Sequence, residues 1–279
     1  MATEALAAGT IVRGDLDRGY EKVHRNVYKR SGTKLTAGDR ARAAWLWSGR
    51  RATLVGHSAA AALGDKWIEA DAPVEISHSR RPAAKGIKVY SDGLRADEVC
   101  SVDGMCCTTA ARTAYDLGRR LPLVEGIIRI DALLNATRVP AAAVTAMAAR
   151  YPGARGIAGL RSALDLVDAG AESPQETRLR LAFIRAGLPR PVTQIPVRND
   201  RGRVVRRIDM GWPQWMVGVE YDGEQHFSSP DAYGKDITRL EFLAERGWTI
   251  VRVSGRQLRN ERRAVVARTR KALIAAGMP

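Results

Sequence analysis

Residues 206–226 read RRIDMGWPQWMVGVEYDGEQH, and this stretch decides the fold of the C-terminal part. Two apolar strand-like runs, RVVRRIDM from residue 203 and WMVGVEYD from residue 215, flank a turn expected at Gly211-Trp212-Pro213. Asp209 closes the first run, while Glu220 and Asp222 stand two apart on the second and share one face of a pleated strand. A buried, unpaired carboxylate is costly, so this placement demands a counter-charge. An arginine network drawn from Arg206, Arg207, Arg239 and Arg252 can supply it. So can Mg²⁺ (or Mn²⁺), held by hard oxygen ligands from adjacent strands, with Asp209, Glu220 and Asp222 as the candidate metal ligands. Gly223 after Asp222 leaves room for a backbone or phosphate to approach, and His226 follows at a distance suited to orienting water or protonating a leaving group. The arginine reading accounts for the charges but not for the DG..H that follows, so the metal reading is preferred.

Working upstream, Ser173-Pro174-Gln175-Glu176 is a helix start with an N-cap Ser, a Pro at the first helical position and a Glu that can reach back to the cap. Leu179 and Phe183 carry on the apolar stripe, so Glu176 stands at its end and can face a site as well as cap. Gly187 ends this helix, and TQIPV from residue 193 reads as a strand. Downstream, a helix over about 233–246, the buried-type strand WTIVRV and a basic helix over about 257–275 complete the region. A three-stranded meander followed by a strand reached through a helical crossover predicts an α/β sandwich with a mixed sheet over residues 171–279.

The first fifty residues concentrate positive charge, much of it in YEKVHRNVYKRSGTKL, which alternates like two short strands around a Ser-Gly turn. Lys22, Arg25, Lys29, Arg30 and Lys34 of this basic hairpin are candidate nucleic-acid contacts, against the alternative of a solvated surface. Thr36 and Asp39 form a capping box, and a short helix is expected around SAAAALG. Strands are expected at 74–78 and 86–92, with an Asp103-Gly104 hairpin after them and helices over 109–119, 122–136 and 156–170. This middle stretch shows no catalytic constellation and predicts a mixed α+β unit.

A length of 279 residues suits two domains or three small ones. With 45 Lys and Arg against 30 Asp and Glu the chain carries a formal +15, which favours a polyanionic partner. No apolar run of about 18 residues exists, so no membrane span is expected. The N-terminus MATEALAAGTIVRGDLDRG does not read as a signal peptide, which places the protein in the cytoplasm. Cys100, Cys106 and Cys107 lack zinc-site spacing and are expected to be buried, reduced thiols, and His24, His57 and His78 read as structural.

Taken in order, SPQETRLRLAFIRAGLP, RRIDMGWP, VGVEYDGEQH, DITRLEFLAERGW and TIVRVSGRQL resemble the endonuclease-like domains related to very-short-patch-repair (Vsr) endonucleases, within the PD-(D/E)XK superfamily. The resemblance implies a restriction-endonuclease-like fold and Mg²⁺-dependent hydrolysis of a DNA phosphodiester. It implies Asp209 and Glu220 as metal ligands, Asp222 as a third ligand or base, Glu176 in support, and His226 as the histidine just past the glycine. The superfamily's lysine two residues after the glutamate is Asp222 here, and Ile208 stands where a proline precedes the aspartate. Lys235, Arg239, Arg252, Arg256, Arg259, Arg262 and Arg263 are candidates for holding backbone phosphates.

YEKVHRNVYKR, GHSAAAALG and CTTAARTAYDLGRR resemble AbiEi-type antitoxins, DNA-binding regulators paired with nucleotidyltransferase toxins. That implies a partial winged-helix-like basic region over 1–55, a mixed α+β domain over 56–170, and a toxin as partner. The rival to an endonuclease is thus a non-catalytic regulator of this type that keeps the nuclease fold as a scaffold.

Overall fold

Residues 1–79, 84–223 and 230–279 are described in a computed structural model of the chain, which divides into units Met1–Val167 and Asp168–Pro279. The first unit runs α1 (Ala2–Ala7), α2 (Arg13–Gly19), β1 (Tyr20–His24), β2 (Val27–Arg30), α3 (Ala37–Trp47), β3 (Thr53–Leu54), α4 (Gly56–Ala62), β4 (Val74–Ser77), β5 (Ile87–Tyr90), β6 (Val99–Val102) and β7 (Met105–Thr108), followed by four helices. These are α5 (Ala110–Arg120), α6 (Leu123–Thr137), α7 (Ala141–Ala149) and α8 (Ile157–Leu164).

The basic hairpin is present, but its turn is Arg25-Asn26 rather than Ser-Gly. Asn26 takes φ 65°, a left-handed conformation that asparagine tolerates, and its side-chain amide exchanges hydrogen bonds with Thr3. Thr36 and Asp39 cap α3 reciprocally as expected. Asp103 and Gly104 both have positive φ, the conformation of a two-residue hairpin turn. The sheet order is β5-β4-β3-β7-β6. One apolar cluster joins Val27, Ala44 and Leu54 to Ile76, Ile87 and Cys107, so residues on both sides of position 55 share a core. Helix α7 has no counterpart in the sequence reading, because AAAVTAMAA has no polar face to set a period; it buries Val144, Met147 and Ala148. All three cysteines are free, but only Cys107 is buried, and Cys106 on the outer side of its strand is exposed.

The second unit contains α9 (Pro174–Arg185), β8 (Val192–Arg198), β9 (Val204–Trp212), β10 (Val217–Asp222), α10 (Pro230–Glu245), β11 (Thr249–Ser254), α11 (Gly255–Asn260) and α12 (Arg262–Ala275). Its sheet has the order β11-β10-β9-β8. β8, β9 and β10 pair antiparallel, and β11 joins β10 in parallel across the α10 crossover. The mixed α/β architecture is thus as expected, with two local corrections. Strand β9 extends through Trp212, since Gly211 faces Gly218 across the ladder and no side chain separates the strands there. The turn falls later, at Pro213–Trp215. The C-terminal basic helix is two helices, because Ser254 and Gln257 cap α11 and the chain leaves helical geometry at Glu261. Leu179 and Phe183 of α9 pack with Met210, Val219, Val253 and Leu273, while Ile195, Ile208, Leu243 and Trp248 form a separate cluster. Trp212 is fully buried with its indole N–H donated to the Pro189 carbonyl at 2.8 Å. Among the described residues no helix is long and apolar enough to cross a membrane.

Candidate active site

Asp209 lies inside β9 rather than at its end. The paired registers of β9 and β10 stop at Met210 and Val219. Beyond them the Tyr221 N–H donates to Asp209 Oδ2 at 2.8 Å, so a side-chain carboxylate takes the place of a ladder acceptor and ties Asp209 to the strand carrying Glu220. Burial raises the Asp209 pKa against the pull of the Tyr221 N–H and Arg239, with the charges of Glu172 and Asp222 adding to the rise.

Glu220 is 2% exposed. Arg239 of α10 donates to its Oε1 at 2.5 Å, whereas Oε2 is buried with no hydrogen-bond partner among the described residues. Burial pushes its pKa up to about 7 despite Arg239, and the neighbouring charges of Asp209 and Asp222 push the same way. In the parallel ladder Arg252 stands opposite Glu220, yet its Nε reaches along the strand to Asp222 Oδ2 at 2.7 Å. Glu176 is also buried, and both of its oxygens are engaged: one accepts from the Glu172 N–H at 2.9 Å and the other from the Ser173 hydroxyl at 2.7 Å. Burial raises its pKa to about 7, and the charge of Asp209 adds to this, so the cap faces the same carboxylate group.

The structure therefore draws Glu176, Asp209, Glu220 and Asp222 into one electrostatically coupled set. It gives Asp222 an arginine partner, Glu220 half of one, and Glu176 a helix cap. Among the described residues no group of three or more His, Cys, Asp or Glu is placed to hold a metal ion. The site does meet one condition for a divalent cation: a buried acceptor oxygen without a donor, on a hard ligand, is destabilising unless a positive charge reaches it. His226 lies outside the described residues, as does the side chain of Lys235. Glu172, whose N–H holds Glu176 and whose charge reaches Asp209, has no site role in the sequence reading. Its only signal is its position immediately before the Ser173 cap.

The expected phosphate-binding residues divide by environment. Arg239 and Arg252 are committed to carboxylates, while Arg256, loosely paired with Glu261 at 3.5 Å, and Arg259 are exposed. In the first unit Lys22, Arg25, Arg30 and Lys34 are exposed, and Lys29 is paired with Glu21 at 2.7 Å. That unit also holds a buried polar knot: Glu75 accepts from the His57 N–H at 2.7 Å and the Tyr90 hydroxyl at 2.9 Å, with the His57 ring Nδ1 at 2.9 Å. His57 is structural, as expected, and this knot closes the carboxylate rather than exposing it to a ligand.

Two uncharacterized proteins of Mycobacterium tuberculosis, from the Oshkosh and H37Rv strains, are each 33% identical to the chain over 177 residues. The match covers 63% of this chain and 65% of each relative, so the chain spans under two thirds of their length. No family model matches the chain, and no solved structure matches it.

Proposed function

We propose that the chain is a DNA-binding protein whose second unit is a Vsr-like endonuclease domain of the PD-(D/E)XK type, hydrolysing a phosphodiester with Mg²⁺ or Mn²⁺. The observation that supports this reading is Glu220 Oε2, a buried oxygen with no donor among the described residues, coupled to Asp209 on the adjacent strand. Asp209 and Glu220 would hold the cation, with water completing its shell, since Asp222 is committed to Arg252. When bound, such an ion polarises a phosphoryl oxygen and lowers the pKa of a coordinated water. The protein's own part is to orient. The Tyr221 N–H fixes the Asp209 carboxylate and Arg239 fixes that of Glu220. Asp222, held by Arg252, or His226 would take up the proton. Exposed Arg256 and Arg259 would hold backbone phosphates, and the winged-helix-like hairpin of the first unit would supply further contacts through Lys22, Arg25, Arg30 and Lys34.

A plasmid-nicking assay in Mg²⁺ or Mn²⁺ tests the reading. The parent should cleave, and both Asp209→Asn and Glu220→Gln should reduce cleavage at least a hundredfold. One observation favours the second reading, a non-catalytic AbiEi-type regulator with a toxin partner: arginines already hold one oxygen each of Glu220 and Asp222. Tight DNA binding by the parent with no metal-dependent cleavage would decide for it.

A further inference from the structure

The first unit contains a second place where charge is out of balance, of the opposite sign. A groove of about 610 Å³ lies beside the β1–β2 hairpin, lined by Lys22, His24, Lys34, Arg40, Asp71 and Lys85. These cations come from four separate segments: strand β1, the loop after β2, the first turn of α3, and the residues just before β5. Asp71 is the one acid among the described lining residues. Lys29 also lines the groove, but its ammonium is spent on Glu21 and on the Thr33 carbonyl, each at 2.7 Å, which fixes the loop that carries Lys34. Among the described residues Lys22, Lys34, Arg40 and Lys85 form no ion pair.

Several arginines elsewhere in the same unit find acids. Arg50 pairs with Glu4, Arg129 with Glu69 and Glu125, Arg150 with Asp97, and Arg119 and Arg120 with Asp92 and Asp116. The groove cations other than Lys29 have no such partner among the described residues, and their like charges repel one another across a shared volume. Such a volume falls in the range of small-ligand pockets, about 300–1,000 Å³, and exceeds what one phosphate needs. Val23 and Leu35 also line it, so it offers an apolar surface to a flat or aliphatic group as well.

We infer that this groove is a binding site for a run of linked phosphates. Each exposed cation alone contributes little against salt, but several converging on adjacent phosphates act together. Two sources carry this chemistry, a nucleic-acid strand and a free polyphosphate such as a nucleoside triphosphate. Lys22 and Lys34 are also among the proposed DNA contacts, so the nucleic-acid arm rests on that reading, whereas binding of a free polyphosphate rests neither on it nor on the second unit.

The test uses the full-length chain in EDTA, where metal-dependent cleavage is silent. Calorimetric titration with tripolyphosphate should show saturable binding that inorganic phosphate does not reproduce. Lys22→Ala with Lys34→Ala should weaken it at least tenfold, and so should Lys85→Glu, which alters a separate segment. Arg161→Ala, an exposed cation on α8 away from the groove residues, should leave it unchanged. Displacement of tripolyphosphate by a single-stranded oligonucleotide, lost in the same variants, assigns the site to a nucleic-acid strand. Failure of the oligonucleotide to displace it assigns the site to a free polyphosphate. Absence of saturable tripolyphosphate binding, or equal weakening by Arg161→Ala, overturns the inference.

Discussion

Glu220 shows what a single buried side chain asks of its surroundings. As an anion it has Arg239 on one oxygen and no donor on the other among the described residues, and burial outweighs the arginine, which is why its pKa rises to about 7. Glu176 rises to about 7 for the same reason. A carboxyl whose folded pKa lies above its ordinary value contributes full stability below about pH 4.5, and that contribution is lost as pH climbs through about 7. Thermal unfolding of the second unit should therefore show a fall in stability between these values. Mn²⁺ added at pH 8 should restore part of the loss by neutralising the anion. Glu220→Gln should flatten the pH dependence and abolish the Mn²⁺ effect. Unfolding of the parent that is indifferent to Mn²⁺, or a Gln variant stabilised as much as the parent, would remove the cation from this site.

Between strands, the decisive feature is a pair of glycines. Gly211 and Gly218 face each other, and a Cβ on Gly211 would sit 2.4 Å from the Val217 carbonyl oxygen, a backbone atom that cannot swing aside. Gly211→Ala should thus part β9 from β10 and destabilise the second unit by about 2–4 kcal/mol. The loss would register as a fall in its urea midpoint, together with lower affinity for Mn²⁺. A variant as stable as the parent would mean that the strands tolerate the extra carbon and that the close approach has no role in positioning Asp209. The α9 cap is worth less: Ser173→Ala removes one acceptor and one donor and should cost about 1 kcal/mol. Legibility in the sequence follows the range of the interaction. The Ser173 and Thr36 caps, the Asp103-Gly104 turn and the order of elements in the second unit were legible, because each rests on contacts a few residues apart or on a strong apolar period. The extension of β9 through Trp212 was not, because Gly-Trp-Pro reads locally as a turn and only the partner glycine across the ladder makes it strand. Likewise, that Asp209, Glu220 and Asp222 lie near enough to act on one another's charge was readable from spacing. Which oxygen Arg239 takes, and that Arg252 passes its cross-strand neighbour Glu220 to hold Asp222, depends on how α10 and β11 come back to β10.

At the scale of the whole molecule, a formal charge of +15 sets how binding must respond to salt. Binding of a DNA duplex in EDTA should weaken by about a thousandfold or more between 50 and 200 mM salt if roughly six phosphates are engaged. The slope also reports which unit makes the contacts, since each lost phosphate contact lowers it by about 0.9. Replacing exposed Arg259, Arg262 and Arg263 by alanine alters only the second unit, and replacing exposed Arg25 and Arg30 alters hairpin residues that do not line the groove. If both units grip one duplex, each set lowers the slope in proportion to the charges removed, and the two reductions add when the sets are combined. A slope that changes with the second-unit set alone would leave the hairpin without a role on duplex DNA. One that changes with neither would mean that the positive charge of the chain serves a partner other than DNA.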